Sequence, residues 1–249
     1  MTPSHQMVGD ALRFMRVPPE GRTPELTAAV QTAFEELEGH IRPRWTWGRF
    51  PVSSAGEKLY IAGAEFRSAD LAKLMTRSRD CYLMAVTLGP EADRQILLAQ
   101  KRGMMEGLML DACASVRADA LCDQAEAEIA AALRPGEHLT MRFSPGYGDA
   151  PLSASEDIIA LLDATRRIGL SMTRSLMMTP VKSVTALLGV TGEEENRSRG
   201  CAFCASRETC PYSGGAGCGG TGGPAAAGDD PGADGTGGHI EAEGSRGGG

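Results

Sequence analysis

A chain of 249 residues, 42% of them hydrophobic, can bury one sizeable core and still carry an appendage. Its net charge of −7 divides unevenly: residues 191–249 hold nine acids and four bases, leaving 23 against 21 for residues 1–190, so the part expected to fold is close to neutral. Near neutrality and 5% aromatic content exclude the basic, stacking-rich surface of a nucleic-acid binder, and no stretch reaches the ~18 consecutive apolar residues of a membrane span.

The opening MTPSHQMVGDALRFMRVPPEG has no long apolar run, so no targeting segment is expected. Thr23-Pro24-Glu25 then starts a helix with a hydroxyl cap, proline at the first position and an acid in the first turn; Leu26, Val30, Phe34, Leu37 and Ile41 follow as its buried stripe. Arg44–Val52 reads as a strand or extended chain, and Ser68 caps a short helix reaching about Arg77. Cys81–Leu88 (CYLMAVTL) is a continuous apolar run of strand length, broken by Gly89-Pro90. Residues 91–133 are rich in Ala, Leu, Met, Glu and Arg and read as one helix followed by a longer one, with Gly103 and Gly107 marking a bend or a close helix approach. Arg134-Pro135-Gly136 ends that segment, and Leu139–Phe143 is a short strand. Ser153 with Glu156 reads as a capping box opening a helix that ends at Gly169, and Ser171–Val190 as two short strands around Pro180. Helices and strands interspersed without strict alternation predict an α+β fold, a mixed or antiparallel sheet with long helices in one domain over 1–190. Residues 219–249 form a glycine-rich tail with no hydrophobic period and are expected to be disordered.

Between the short strand and the capping box lies RFSPGYGDAPLS, residues 142–153. An arginine before a tight turn, two glycines and a tyrosine suit a ligand carrying a carboxylate and a flat ring. Arg142 would offer forked donors, Tyr147 a ring face and a hydroxyl, and Gly146 and Gly148 close main-chain contacts. From residue chemistry alone the plainer reading comes first, because Gly/Pro turns are common: a turn that reverses a strand into a helix, with Arg142 on the surface.

The block RFSPGYGDAPL, followed some 25 residues on by SLMMTPVKSV (175–184), resembles the activation domain of cobalamin-dependent methionine synthase, which has an R-x-x-x-G-Y loop and a downstream P-x-x-S-V segment in that order. The resemblance covers about Val86 to Val190. It implies a domain that binds S-adenosylmethionine, with Arg142 on the methionine carboxylate, main chain at Ser144 on the adenine or amino group, Gly146 giving close approach, and Tyr147 near the sulfonium. It also implies reactivation chemistry: cob(II)alamin on a partner protein is reduced by one electron and captures the sulfonium methyl, so no side-chain acid or base, and no catalytic residue, is required. Glu126, Glu128 and Glu137 are candidates to hold the ligand's ammonium and sulfonium charges, against the plainer reading of solvated acids. The chain has no D-x-H-x-x-G corrinoid motif, and Gly148-Asp149 and Lys182 depart from the residues more usual in the fused enzymes. The implied activity is therefore that of a stand-alone component of methionine synthase, a methyltransferase of methionine biosynthesis. Its partners would be a corrinoid-binding methionine synthase subunit or related corrinoid protein and an electron donor such as flavodoxin or ferredoxin.

Cys201, Cys204, Cys210 and Cys218 crowd into segment 191–218 with spacing C-x2-C-x5-C-x7-C, which suits zinc or an iron–sulfur cluster. This leaves open a rival class of function, an iron–sulfur electron-transfer protein serving a corrinoid methyltransferase. Cys81, Cys113 and Cys122 lie scattered in helix and strand segments, unlike a secreted disulfide framework, so a cytoplasmic location is expected.

Overall fold

The computed structural model describes residues 2–193 and the backbone of residues 237–241. Two helices lead into the sheet: α1 (His5–Phe14), capped by the Ser4 hydroxyl accepting from Met7 N, and α2 (Pro24–Glu38), capped by Thr23 as its sequence predicts. The strands β1 (Arg44–Ala55), β2 (Lys58–Ile61) and β3 (Ala64–Arg67) form a meander, followed by the short helix α3 (Ala69–Leu74) and strand β4 (Asp80–Thr87). Then come α4 (Pro90–Arg102), α5 (Met104–Ala131), β5 (His138–Leu139), α6 (Ala154–Leu161), α7 (Ala164–Ile168), β6 (Ser171–Met172), β7 (Met178–Thr179) and β8 (Ser183–Thr191). The main sheet runs β3-β2-β1-β4-β8-β5 with antiparallel neighbours throughout, while β6 and β7 pair separately. Within the stretch expected to lack order, the backbone of β9 (Gly237–Glu241) lies parallel to β1, so the sheet is mixed.

The unbroken apolar run of β4 has a simple cause: both faces of the strand are covered. Tyr82, Met84 and Val86 point into a core built with α1, α2, α4 and α5, whereas Cys81, Leu83 and Ala85 point into a second core under α3, α6 and α7. β8 repeats the pattern with Ala186, Leu188 and Val190 on the first face and Leu187 on the second. The result is a sheet between two helical layers, the α+β architecture that the element order predicts.

Several local expectations change. Ser153 has helical backbone angles and makes no side-chain cap, so the S-x-x-E spacing there is not a capping box. The helix expected to run on to Gly169 is interrupted at Asp163, whose left-handed φ of 49° separates α6 from α7; a short polar side chain tolerates that conformation, and Arg166 Nε bonds back to Asp163 Oδ2 at 2.5 Å. Gly169 does end α7 in the left-handed region. Residues 171–191 hold three strands rather than two, and α1 and the β2–β3 hairpin have no counterpart in the sequence reading. The hairpin turns through Ala62 and Gly63, both with positive φ, a geometry that follows the natural strand twist. Cys201, Cys204, Cys210 and Cys218 lie outside the described residues.

Gly103 alone separates α4 from α5, and Gly107 is where the two helices meet. A Cβ at 107 would fall 2.9 Å from Gln100 Cα and 2.4 Å from its Cγ, so the close approach requires glycine. An exposed helical Gly→Ala change gains ~1 kcal/mol. Here Gly107→Ala should instead lower stability by about 1 to 2 kcal/mol through overpacking, measured as a shift in urea midpoint at constant m.

Candidate functional site

The chain leaving β5 continues along the outer edge of β8. Thr140 N donates to Gly189 O at 2.9 Å, Gly189 N donates to Thr140 Oγ1 at 2.8 Å, and Phe143 exchanges two main-chain bonds with Leu187 at 2.9 and 2.8 Å. With Phe143 packed against the second core, Arg142 reaches the opposite way, to α5. Its Nη1 donates to Asp123 Oδ1 at 2.9 Å and to Glu126 Oε2 at 3.1 Å. The Arg142 side chain is 17% exposed and that of Glu126 6%, against 51% for Asp123. Arg142 is therefore not the surface residue of the plain-turn reading. Burial opposes its charge, but Cys122, Asp123 and Glu126 outweigh that and hold the guanidinium pKa above its ordinary value. One turn before Asp123, desolvation raises the pKa of Asp119, with Asp123 and Asp10 adding to the effect and Arg142 opposing it. The residues Asp119, Asp123 and Glu126 recur at i, i+4 and i+7 on α5, a spacing that puts them on one helix face.

After Arg142 the chain makes a tight loop. Tyr147 N donates to Ser144 O at 3.2 Å, Ala150 N to Tyr147 O at 3.1 Å and Gly146 N to Ala150 O at 3.0 Å. Gly146 and Gly148 have φ of +91° and +54°, and a Cβ at 148 would lie 2.2 Å from Asp70 Oδ2, so both positions need glycine. Pro145 is buried while Tyr147, at 71% exposure, holds its ring out to solvent. Asp149 anchors the loop. Its carboxylate accepts from the Ser68 hydroxyl, from Ala69 N at 2.6 Å and from Asp70 N at 3.2 Å, which ties the loop to the first turn of α3. The Ser68 hydroxyl, and then the two amides, hold the Asp149 carboxyl below its ordinary value. Gly148-Asp149, a departure from the fused-enzyme pattern, is thus a docking pair for α3. An open depression of about 350 Å³ lies beside this anchor, bordered by Lys58, Arg67, Ser68 and Asp149, and none of Arg142, Ser144, Gly146 or Tyr147 lines it.

Of the three acids singled out in the sequence, Glu126 is at Arg142 and the other two are engaged elsewhere. Glu128 accepts from the indoles of Trp45 at 2.8 Å and Trp47 at 3.2 Å. Glu137 takes the Arg49 fork at 2.8 and 2.7 Å and the Arg134 amide at 2.9 Å, and its pKa is pushed down to about 2, chiefly by Arg49. Asp119 and Asp123 were missed in the sequence, although their helical spacing to Glu126 was a usable signal. The P-x-x-S-V segment serves as a brace: Lys182 Nζ reaches Asp111 Oδ1 at 3.0 Å and Ser115 Oγ at 2.8 Å, while Ser183 Oγ lies 2.8 Å from Thr87 Oγ1. Among the described residues, no three His, Cys, Asp or Glu side chains are placed to hold a metal. Cys81, Cys113 and Cys122 are buried free thiols whose pKa values burial pushes up to about 12, which makes them poor nucleophiles and poor ligands. Among the described residues no helix is long and apolar enough to cross a membrane.

Residues 104–197, from the start of α5 past the end of β8, match the family described as vitamin B12 dependent methionine synthase, activation domain. They contain Arg142, the loop and the P-x-x-S-V brace. A solved structure with this fold is the crystal structure of the MetH reactivation domain bound to AdoHcy, at TM-score 0.53 and 17% identity over 78% of each chain. No curated protein matches the sequence significantly. The activation-domain match begins at α5, and α1, α2 and the β1–β4 half lie outside it.

The Asp149 anchor is testable through the backbone amides that it caps. Because its folded pKa is depressed, its contribution is present above the ordinary aspartate value near 3.8 and is lost as pH falls through the folded value. Asp149→Ala should lower the hydrogen-exchange protection factors of the Ala69 and Asp70 amides at neutral pH, and in the unaltered protein the same protection, measured against the intrinsic rate at each pH, should fall on acidification; unchanged protection in the variant would show that the loop is held by other means.

Proposed function

We propose that this protein binds S-adenosylmethionine at Arg142, Ser144, Gly146 and Tyr147, and supports reductive remethylation of the cobalamin carried by a corrinoid-binding methionine synthase subunit or related corrinoid protein in trans. The observation that carries the reading is the Arg142 guanidinium. One of its nitrogens is committed to α5, the others have no partner among the described residues, and the loop that follows opens its main chain at two glycines. The match of residues 104–197 to the activation-domain family supports this reading, as does the fold shared with a reactivation domain whose crystals hold AdoHcy, the molecule left when S-adenosylmethionine gives up its methyl group.

The donor set suits this ligand. A carboxylate matches the arginine fork, the excess of acid at Asp119, Asp123 and Glu126 favours a molecule with ammonium and sulfonium charges, and Tyr147 offers a ring face. Cobalamin on the partner supplies the reduced cobalt that accepts the methyl, after one electron from a donor such as flavodoxin or ferredoxin. The work left to this chain is to bind and orient the methyl donor, which calls for positioned donors and no proton-transfer residue. Isothermal titration with S-adenosylmethionine should show one site, and Arg142→Ala should weaken it by about 1.5 to 3 kcal/mol, the range for a hydrogen bond to a charged group. An unaltered protein that gives no binding heat, or a variant with full affinity, would remove Arg142 from this role.

We also propose that Cys201, Cys204, Cys210 and Cys218 share one centre, zinc or an iron–sulfur cluster. Four thiolates within 18 residues can converge on one ion without help from the distant core, which supports the reading. An iron–sulfur occupant would make the segment an electron-transfer element. Anaerobically purified protein should carry about one zinc or one cluster per chain. Cys201→Ser should release it with the melting temperature of the domain unchanged; free reaction of all four thiols in protein lacking zinc and iron would reject the centre.

A further inference from the structure

We infer that Glu126, assisted by Asp123, is a positioning residue that sets the Arg142 fork for the α-carboxylate of the bound amino-acid moiety; the inference rests on the S-adenosylmethionine reading above. Glu126 occupies a place that packing alone would give to an apolar side chain. It is buried on α5 between Cys122, Ala125 and Ile129, all core residues, where an unpaired carboxylate would be costly. Its bond to Arg142 offsets that cost and also constrains the arginine.

The constraint lies in which nitrogen is taken. Both carboxylates meet Arg142 at Nη1, Asp123 at 2.9 Å and Glu126 at 3.1 Å, while Nε and Nη2 have no partner among the described residues. Those two nitrogens form the side-on edge of the guanidinium, the pair of parallel N–H donors that matches a carboxylate. Had Glu126 taken Nη2, either two-toothed edge would have been spoiled. Two carboxylates already face this guanidinium, so the site suits a ligand that brings cations together with its carboxylate. A zwitterionic amino acid bearing a sulfonium does so, whereas a simple carboxylate does not. Glu126 thus sets the angle at which the carboxylate is held, and through the pair with Asp123 it biases the site against bare anions.

The test uses the full chain and two ligands, S-adenosylmethionine and its decarboxylated analogue, which keeps the sulfonium, amine and adenosine but lacks the carboxylate. Glu126→Leu should weaken S-adenosylmethionine by about tenfold or more while changing the analogue less than about twofold. Glu126→Gln, which still presents an oxygen to Nη1, should recover most of the loss. Asp123→Asn, at an exposed position where folding is not at stake, should show the same ligand selectivity with a smaller factor, and it carries the comparison should Glu126→Leu fail to fold. Equal losses for both ligands would reduce Glu126 to a structural group and overturn the inference, as would full affinity in Glu126→Leu. Failure of the unaltered protein to bind S-adenosylmethionine would overturn the ligand reading itself and this inference with it.

Discussion

Because β4 pairs with β1 on one side and β8 on the other and buries side chains on both faces, its backbone and side chains have no route to solvent except at the ends. Everything else is placed by that requirement. Tyr82, Met84 and Val86 need a helical cover, which α5 supplies along its length together with α1 and α2, and Cys81, Leu83 and Ala85 need a second, which α6 and α7 supply. With the centre of the sheet committed, polar chemistry is left to the margins. The outer margin of β8 is bordered by residues 140–143, and there the side chain of Arg142 falls into the seam between the sheet and α5.

That seam shows how buried charge is handled in this fold. Arg117 on α5 meets Glu38 at the end of α2 at 2.7 Å, with both side chains largely shielded, and Arg142 meets Glu126 in the same way further along α5. Such pairs add little net stability over apolar residues of the same volume, since desolvation consumes most of the Coulombic gain. What they add is definition: each arginine has one place to go, and helix and sheet are held in one register. At Arg142 the two carboxylates of α5 both take Nη1, so the guanidinium is held through one nitrogen.

Much of the scaffold was legible along the chain. The β4 run, the α2 stripe with its Thr23-Pro24 start, and the Gly103 break between two long helices each depend on local chemistry that tertiary packing then uses unchanged. The Ser153 cap failed because the same spacing fits a serine already inside a helical turn, and Asp163 interrupts a helix without the proline or glycine that would announce it. The short β2–β3 hairpin and α1 carry too few residues for a period to stand out. At the candidate site, the residue types alone left a plain turn open, and it was the R-x-x-x-G-Y pattern that drew attention to Arg142 and its loop. The division of labour among the acids could not be read that way, because Glu126, Glu128 and Glu137 look alike in sequence and are told apart only by which of Arg142, Trp45 and Arg49 the fold brings to them.

Trp45 and Trp47, the two tryptophans of the chain, point their indole N–H groups at one carboxylate oxygen, Glu128 Oε2, near the end of α5. Intrinsic fluorescence is thereby concentrated at a single joint. Its emission reports whether the last turns of α5 rest on β1, and the loop of residues 142–153 contains no tryptophan of its own. A change in that emission would register a movement of the last turns of α5 against β1, so the protein carries an optical gauge of how its longest helix sits on the sheet.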